Sequence, residues 1–173
     1  GINGILNAIY NGGRLITCVL DNRTTAMTGH QDNPGTGQTA HGDVTQVIDI
    51  EEVVRALGCE HVRTINPHDL DEVREAFDWA MGLDEPSVII TRYPCALKKY
   101  SDIDMEEFGP LDRKFYVDQD DCIGCKKCIR ELGCPAIVLD NGNVCIDDTM
   151  CTGCGLCSQV CPAAAIIGGK KHE

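Results

Sequence analysis

Nine of the twelve cysteines fall between Cys122 and Cys161, at spacings that can do chemistry. One group reads Cys122-Ile123-Gly124-Cys125-Lys126-Lys127-Cys128, with Cys134-Pro135 five residues further on. The other reads Cys151-Thr152-Gly153-Cys154-Gly155-Leu156-Cys157, with Cys161-Pro162 three residues further on. Three thiolates two residues apart wrap one corner of an iron-sulfur cubane, and the fourth ligand must come from elsewhere. In two-cluster ferredoxins the Cys before Pro ligates the other cluster. That rule assigns Cys122, Cys125, Cys128 and Cys161 to one 4Fe-4S cluster, and Cys134, Cys151, Cys154 and Cys157 to a second. Such a pair moves single electrons.

Structural zinc also uses paired cysteines two residues apart, but it leaves the third Cys of each triplet and the Cys-Pro without a role. Gly124, Gly153 and Gly155 suit tight loops in which a side chain would crowd inorganic sulfur or forbid positive φ. The first repeat has two residues more than the second before its Cys-Pro, and these are expected to bulge the helix or loop before Cys134. Cys145, Cys18, Cys59 and Cys95 read as small buried residues.

Between the repeats, Ala136 to Leu139 and Val144 to Ile146 are apolar runs separated by Asp140-Asn141-Gly142-Asn143. Asn-Gly between two such runs is the strongest short-range hairpin signal. The ribbon is expected to cover the clusters with Ile137, Leu139, Val144 and Ile146.

The elements before the cysteines alternate. Ile2, Ile5, Leu6 and Ile9 recur at helical spacing and Gly12-Gly13 ends that helix. Leu15 to Leu20 is an unbroken apolar run, read as a buried parallel strand. Asp49 with Glu52 opens a helix that Gly58 closes. A strand from about His61 to Ile65 follows, then a helix opened by Asp69 or Asp71 with Leu70, Val73, Phe77 and Ala80 on one face, then the strand Val88 to Thr91. Helix and strand in strict alternation predict an α/β domain, a parallel sheet covered by helices. The division expected is an α/β domain over 1–95, a linker over 96–113, a small α+β two-cluster ferredoxin-like domain over 114–168 and a tail over 169–173.

In open parallel sheets ligands gather at the carboxyl ends of the strands. After Leu20 comes a loop of about twenty residues, a length that is functional more often than incidental. It begins Asp21-Asn22-Arg23-Thr24-Thr25-Ala26-Met27-Thr28-Gly29-His30-Gln31. Following an apolar strand, this resembles the diphosphate-binding loop of thiamine-dependent 2-oxoacid:ferredoxin oxidoreductases. Together with a two-cluster module the whole chain resembles the alpha subunits of the indolepyruvate type.

The resemblance implies that the Asn22 side chain and the Thr24 backbone carbonyl hold the Mg2+ that bridges thiamine diphosphate, and that Thr28, Gly29, His30 and Gln31 lie close to the cofactor. It implies oxidative decarboxylation of an aryl-2-oxo acid to an acyl group passed to coenzyme A. Electrons would run through two 4Fe-4S clusters to an external ferredoxin, and a smaller beta subunit would be the partner. The family's Gly-Asp pair, which supplies the other protein ligand to the metal, lies on a strand ahead of the helix with which these residues open, so the resemblance is to the carboxyl-terminal portion of a longer subunit. No residue here is expected to be catalytic. The bottom-up alternative is a stand-alone ferredoxin-like electron carrier whose α/β part is a docking platform; the loop from Asp21 to Gln31 is what such a carrier would not need.

Composition sets the outer bounds. A formal net charge of −12 excludes a phosphate-neutralising role on nucleic acid. No apolar stretch approaches the roughly 18 residues of a membrane span, and no secretory signal pattern occurs. A cytoplasmic protein is expected, where thiols stay reduced and twelve cysteines mean metal ligation rather than disulfides. The acidic runs Asp102 to Glu107 and Asp118 to Asp121 read as solvated surface.

Overall fold

The computed structural model describes residues 1–110 and 113–168, so the expected tail at 169–173 and two linker residues lie outside the described residues. The chain divides into two compact units, Gly1–Asp104 and Met105–Glu173, and the division falls within the expected linker. That segment carries a short helix, α4 (Asp102–Phe108), between α1 to α3 and the later elements.

In the first unit α1 (Ile2–Tyr10), β1 (Ile16–Asp21), α2 (Ile50–Ala56), β2 (His61–Ile65), α3 (Leu70–Met81) and β3 (Ser87–Arg92) follow in the alternating order expected. The three strands form one parallel sheet in the order β1-β3-β2, with Ile16 opposite Ser87 and Asp21 opposite Arg92. Asp49 caps α2 by accepting the amides of Glu51 and Glu52, and Asp69 caps α3 in the same way on Asp71 and Glu72. Each cap satisfies amides that the first helical turn leaves without partners.

The period-two alternation of β3 places its side chains on both faces. Val88 and Ile90 join Ile5 of α1, Val54 of α2, Cys59 and Val62 in one core. Ile89 joins Ile65 and the α3 residues Ala76 and Ala80 in the other. Small alanines let α3 approach the sheet closely, while Val73 and Phe77 flank it, only partly buried. Full burial of Val88, Ile89 and Ile90 contributes about 1.5–3 kcal/mol each.

The structure corrects four expectations. Among the described residues β1 pairs with β3 on one side only, so it is not the fully buried strand expected, and Leu20 and Cys18 are exposed. Cys95 and Cys145 are half-buried, and of the four cysteines outside the repeats only Cys59 is buried. Asp104, in a run read as solvated, is 2% exposed. Leu139 is also exposed, as described next.

The second unit carries β4 (Phe115–Val117), α5 (Lys127–Leu132), β5 (Ile137–Asp140), β6 (Asn143–Ile146), α6 (Leu156–Val160) and β7 (Ile166–Gly168). β5 and β6 form the expected hairpin, with Asn141 and Gly142 both at positive φ, 48° and 88°. Ile137 and Val144 are buried, but their register neighbour Leu139 turns to solvent near the hairpin tip. β4 and β7 pair antiparallel and close the unit from before the first repeat to after the second. The extra residues of the first repeat lengthen α5 to six residues against five in α6 and add a left-handed Gly133 cap before Cys134.

Candidate cofactor sites

The first site grows from the end of β1. The Asp21 carboxylate accepts the Arg23 amide at 3.2 Å, and the Asn22 side-chain oxygen accepts the Thr24 amide at 3.2 Å. Two consecutive turns of this Asx kind put Arg23 at φ 57° and bury both Arg23 and Thr24. Asn22 and Thr24 therefore present an amide oxygen and a backbone carbonyl on one turn.

The turn continues into a tight lobe. Thr25 and Gln31 exchange backbone hydrogen bonds, and the Thr24 hydroxyl donates to the Gln31 carbonyl at 3.4 Å. Inside the lobe the Ala26 carbonyl accepts the amides of Gly29 and His30, and the Thr28 hydroxyl donates to Gln31 Oε1 at 2.6 Å. Thr28, Gly29, His30 and Gln31 are thus brought together on the turn that carries Asn22 and Thr24. His30 is held at φ 59°, with Nε2 4.0 Å from Cys95 Sγ.

One residue that fastens this loop, Arg92, was not singled out from the sequence. Arg92 Nε donates to Asp21 Oδ2 at 2.9 Å, and Arg92 also lies 3.8 Å from the Asp49 carboxylate. Asp21 and Asp49 stand at the two ends of the irregular stretch, so a single guanidinium spans both. The segment after β3 adds backbone bonds, from the Tyr93 amide to the Asp21 carbonyl and from the Cys95 amide to the Asn22 carbonyl. The only sequence signal was an acidic and a basic residue each closing an apolar strand.

The donor set suits a hard divalent cation, since both Asn22 and Thr24 offer neutral oxygens. Mg2+ keeps several of its positions for water and phosphate oxygens, so two protein oxygens suffice for a partial shell.

The second site lies in the ferredoxin-like unit. Cys122, Cys125, Cys128 and Cys161 line one concavity, with Val117, Val144 and Ile166 forming its apolar side. Cys161 reaches it from the far repeat, at the carboxyl end of α6. Burial, helped by the sulfurs of Cys161 and Cys125, raises the Cys128 thiol above its ordinary value against backbone amides that act to lower it. In the second repeat burial, Cys154 and Cys151 push Cys157 up to about 12. Cys151, Cys154 and Cys157 are thus neighbours, and Cys134 holds in the first repeat the place that Cys161 holds in the second. Lys114 Nζ donates to the Cys151 carbonyl. Among the described residues no three His, Cys, Asp or Glu side chains converge on a point for a single ion; a cubane takes one thiolate at each iron and requires no such convergence.

The sequence pattern described as "Thiamine pyrophosphate enzyme, C-terminal TPP binding domain" matches residues 2–91, more than half the chain. The chain belongs to this thiamine pyrophosphate enzyme family. The matched span holds the whole three-stranded sheet but for Arg92, and the lobe built on Asn22 and Thr24. A second pattern, the 4Fe-4S dicluster domain, matches residues 114–162.

Relatives of this thiamine pyrophosphate enzyme chain extend over both units. The indolepyruvate oxidoreductase subunit IorA of Pyrococcus abyssi is 42% identical over 175 residues, covering 100% of this chain and 26% of the relative. The subunit of the same name from Methanothermobacter thermautotrophicus is 42% identical over 167 residues, 96% of this chain and 26% of its own length. The chain therefore spans about a quarter of the length of these curated relatives. The pyruvate synthase subunit PorD of Methanothermobacter marburgensis is 43% identical over 53 residues, 31% of this chain and 62% of that protein.

Proposed function

We propose that this chain is the cofactor-binding and electron-relaying part of a thiamine diphosphate-dependent oxidoreductase. It oxidatively decarboxylates aryl-2-oxo acids of the indolepyruvate type to acyl-coenzyme A, and its partners are a smaller beta subunit and an external ferredoxin. The observation that carries the reading is the union in one chain of an Asn22-Thr24 turn at the carboxyl end of a parallel sheet and a four-thiolate concavity.

Thiamine diphosphate, when bound, supplies the carbanion chemistry of decarboxylation, and the 4Fe-4S clusters supply one-electron acceptance. This chain's residues do the rest. Asn22 Oδ1 and the Thr24 carbonyl hold Mg2+ against the diphosphate, while Thr28, Gly29, His30 and Gln31 border the cofactor. Cys122, Cys125, Cys128 and Cys161 hold one cluster, and Cys134, Cys151, Cys154 and Cys157 the other. Val144 and Ile166 keep water from the first. Clusters of this kind fit a cytoplasmic setting, where thiolates stay reduced; among the described residues no helix is long and apolar enough to cross a membrane.

A second reading is a pure electron-transfer unit with no activity of its own, favoured by the 4Fe-4S dicluster pattern over residues 114–162. Calorimetric titration of the anaerobically prepared chain with thiamine diphosphate and Mg2+ separates the two. Saturable, Mg2+-dependent binding that Asn22→Ala abolishes supports the oxidoreductase reading. Absence of binding by a chain with both clusters in place supports the electron-transfer unit.

A further inference from the structure

The two cysteine repeats share a left-handed residue ahead of the short helix but differ in the side chain it carries. The residue after the second cysteine precedes the short helix in each, and in each it is left-handed: Gly155 at φ 77° and Lys126 at φ 57°. Glycine fits there for two reasons, since a Cβ on Gly155 would also stand 3.3 Å from the Phe115 ring. Lysine carries a Cβ into a conformation that L-residues rarely adopt. Strain of this kind persists where the surroundings or a function demand it.

Three observations say what Lys126 does with that position. It lines the same concavity as Cys122, Cys125, Cys128 and Cys161. It makes no ion pair among the described residues, whereas the adjacent Lys127 lies 3.8 Å from Glu131. It is also exposed, so its ammonium stays hydrated. An uncompensated cation beside four thiolates stabilises the more negative, reduced state of whatever they hold.

We propose that Lys126 is a redox-tuning residue that raises the reduction potential of the cluster held by Cys122, Cys125, Cys128 and Cys161. The inference rests on the two-cluster reading above. The step it biases is a one-electron transfer in which the neighbouring cluster is oxidised and this one reduced, with no bond or proton changing place; the electron comes from the 2-oxo acid and leaves to the external one-electron carrier. The other cluster has a cation of its own, since Lys114 is bound to the Cys151 carbonyl. Lys126 is therefore tested against its own removal and not against the other repeat.

The test is potentiometric titration of the reconstituted 173-residue chain with dithionite, followed by electron paramagnetic resonance, for the parent, Lys126→Gln, Lys126→Gly and Lys126→Arg. Lys126→Gln and Lys126→Gly are expected to lower one midpoint by a roughly tenfold shift in the one-electron constant, about 59 mV, and to leave the other unmoved. Lys126→Arg keeps the parent value. The shift shrinks as salt is raised, because the charge is exposed. Lys126→Gly also relieves the backbone strain, so its agreement with Lys126→Gln separates charge from conformation. Unchanged midpoints in a chain that carries two clusters overturn this inference alone. A single cluster in the parent chain overturns the ligand reading and the inference with it.

Discussion

Asp21 and Arg92 face each other across the β1–β3 register, and their side chains meet at 2.9 Å where both strands end. Both are largely buried, at 11% and 18% side-chain exposure, and Arg92 also approaches Asp49 at the far end of the loop. The pair closes the stretch that carries Asn22, Thr24 and the lobe to Gln31. Asp21→Asn leaves an acceptor for the Arg23 amide but removes the charge. It is expected to lower Mg2+-dependent thiamine diphosphate affinity about 10–100-fold, as loss of a group that orients a metal ligand does. It also destabilises the unit by about 3 kcal/mol, the cost of orphaning one half of a buried pair. Calorimetry and thermal unfolding read the two effects separately; unchanged affinity in a destabilised variant would confine the pair to a structural role.

Asp104 gives a pH signature. Burial acts to raise its pKa, but Lys98 Nζ at 2.6 Å and the Ser101 amide and hydroxyl at 2.9 and 2.8 Å outweigh it, and the carboxyl titrates below the ordinary value of 3.8. A folded-state pKa below the unfolded one means stability that is fully present above 3.8 and lost as pH falls through the lower folded value. Asp104→Asn is expected to cost about 3 kcal/mol at neutral pH. Urea unfolding of parent and variant at a series of pH values should show that difference narrowing only below 3.8; a difference independent of pH would rule out the ionised pair as its source.

Gly153 and Gly124 occupy equivalent places, both at positive φ, but their surroundings differ. A Cβ at Gly153 would stand against the Arg113 carbonyl oxygen, whereas one at Gly124 meets nothing within 4 Å. Gly124→Ala is expected to cost only the conformational strain, about 1–2 kcal/mol. Gly153→Ala must also displace backbone, and it is expected to block assembly around Cys151, Cys154 and Cys157. Visible absorbance after anaerobic reconstitution decides, and equal absorbance in the two variants would contradict the close approach.

Cys154→Ala is expected to remove about half of the bound iron, because each cubane needs its full set of thiolates. Cys145→Ala, in β6 opposite Val138, should remove none. Iron and acid-labile sulfide analysis measures both, and equal losses would refute the ligand assignment.

The order of elements in the first unit was legible because each rests on local signals. Asp49 and Asp69 sit where the first amides of a helix need acceptors, and β3 is an apolar run of strand length before Thr91-Arg92. The Asn141-Gly142 turn was legible for the same reason, since its residue types answer to backbone conformation alone. β4 and β7 were not, because three residues carry no periodicity and each exists only by pairing with the other. The burial of β1 was misjudged because an apolar run says what a strand can bury, whereas its neighbours decide what it does bury.

The sequence by itself determined the chemistry on offer: which thiols recur at ligand spacing, which oxygens follow the strand end, and where helices start. Those depend on residue type and separation along the chain. The tertiary structure alone decided that Arg92 links Asp21 toward Asp49 and that Asp104 is buried against Lys98. The first joins residues more than thirty positions apart, and Asp104 sits in a run that reads as polar. Such contacts depend on how the elements pack, which spacing along the chain does not encode.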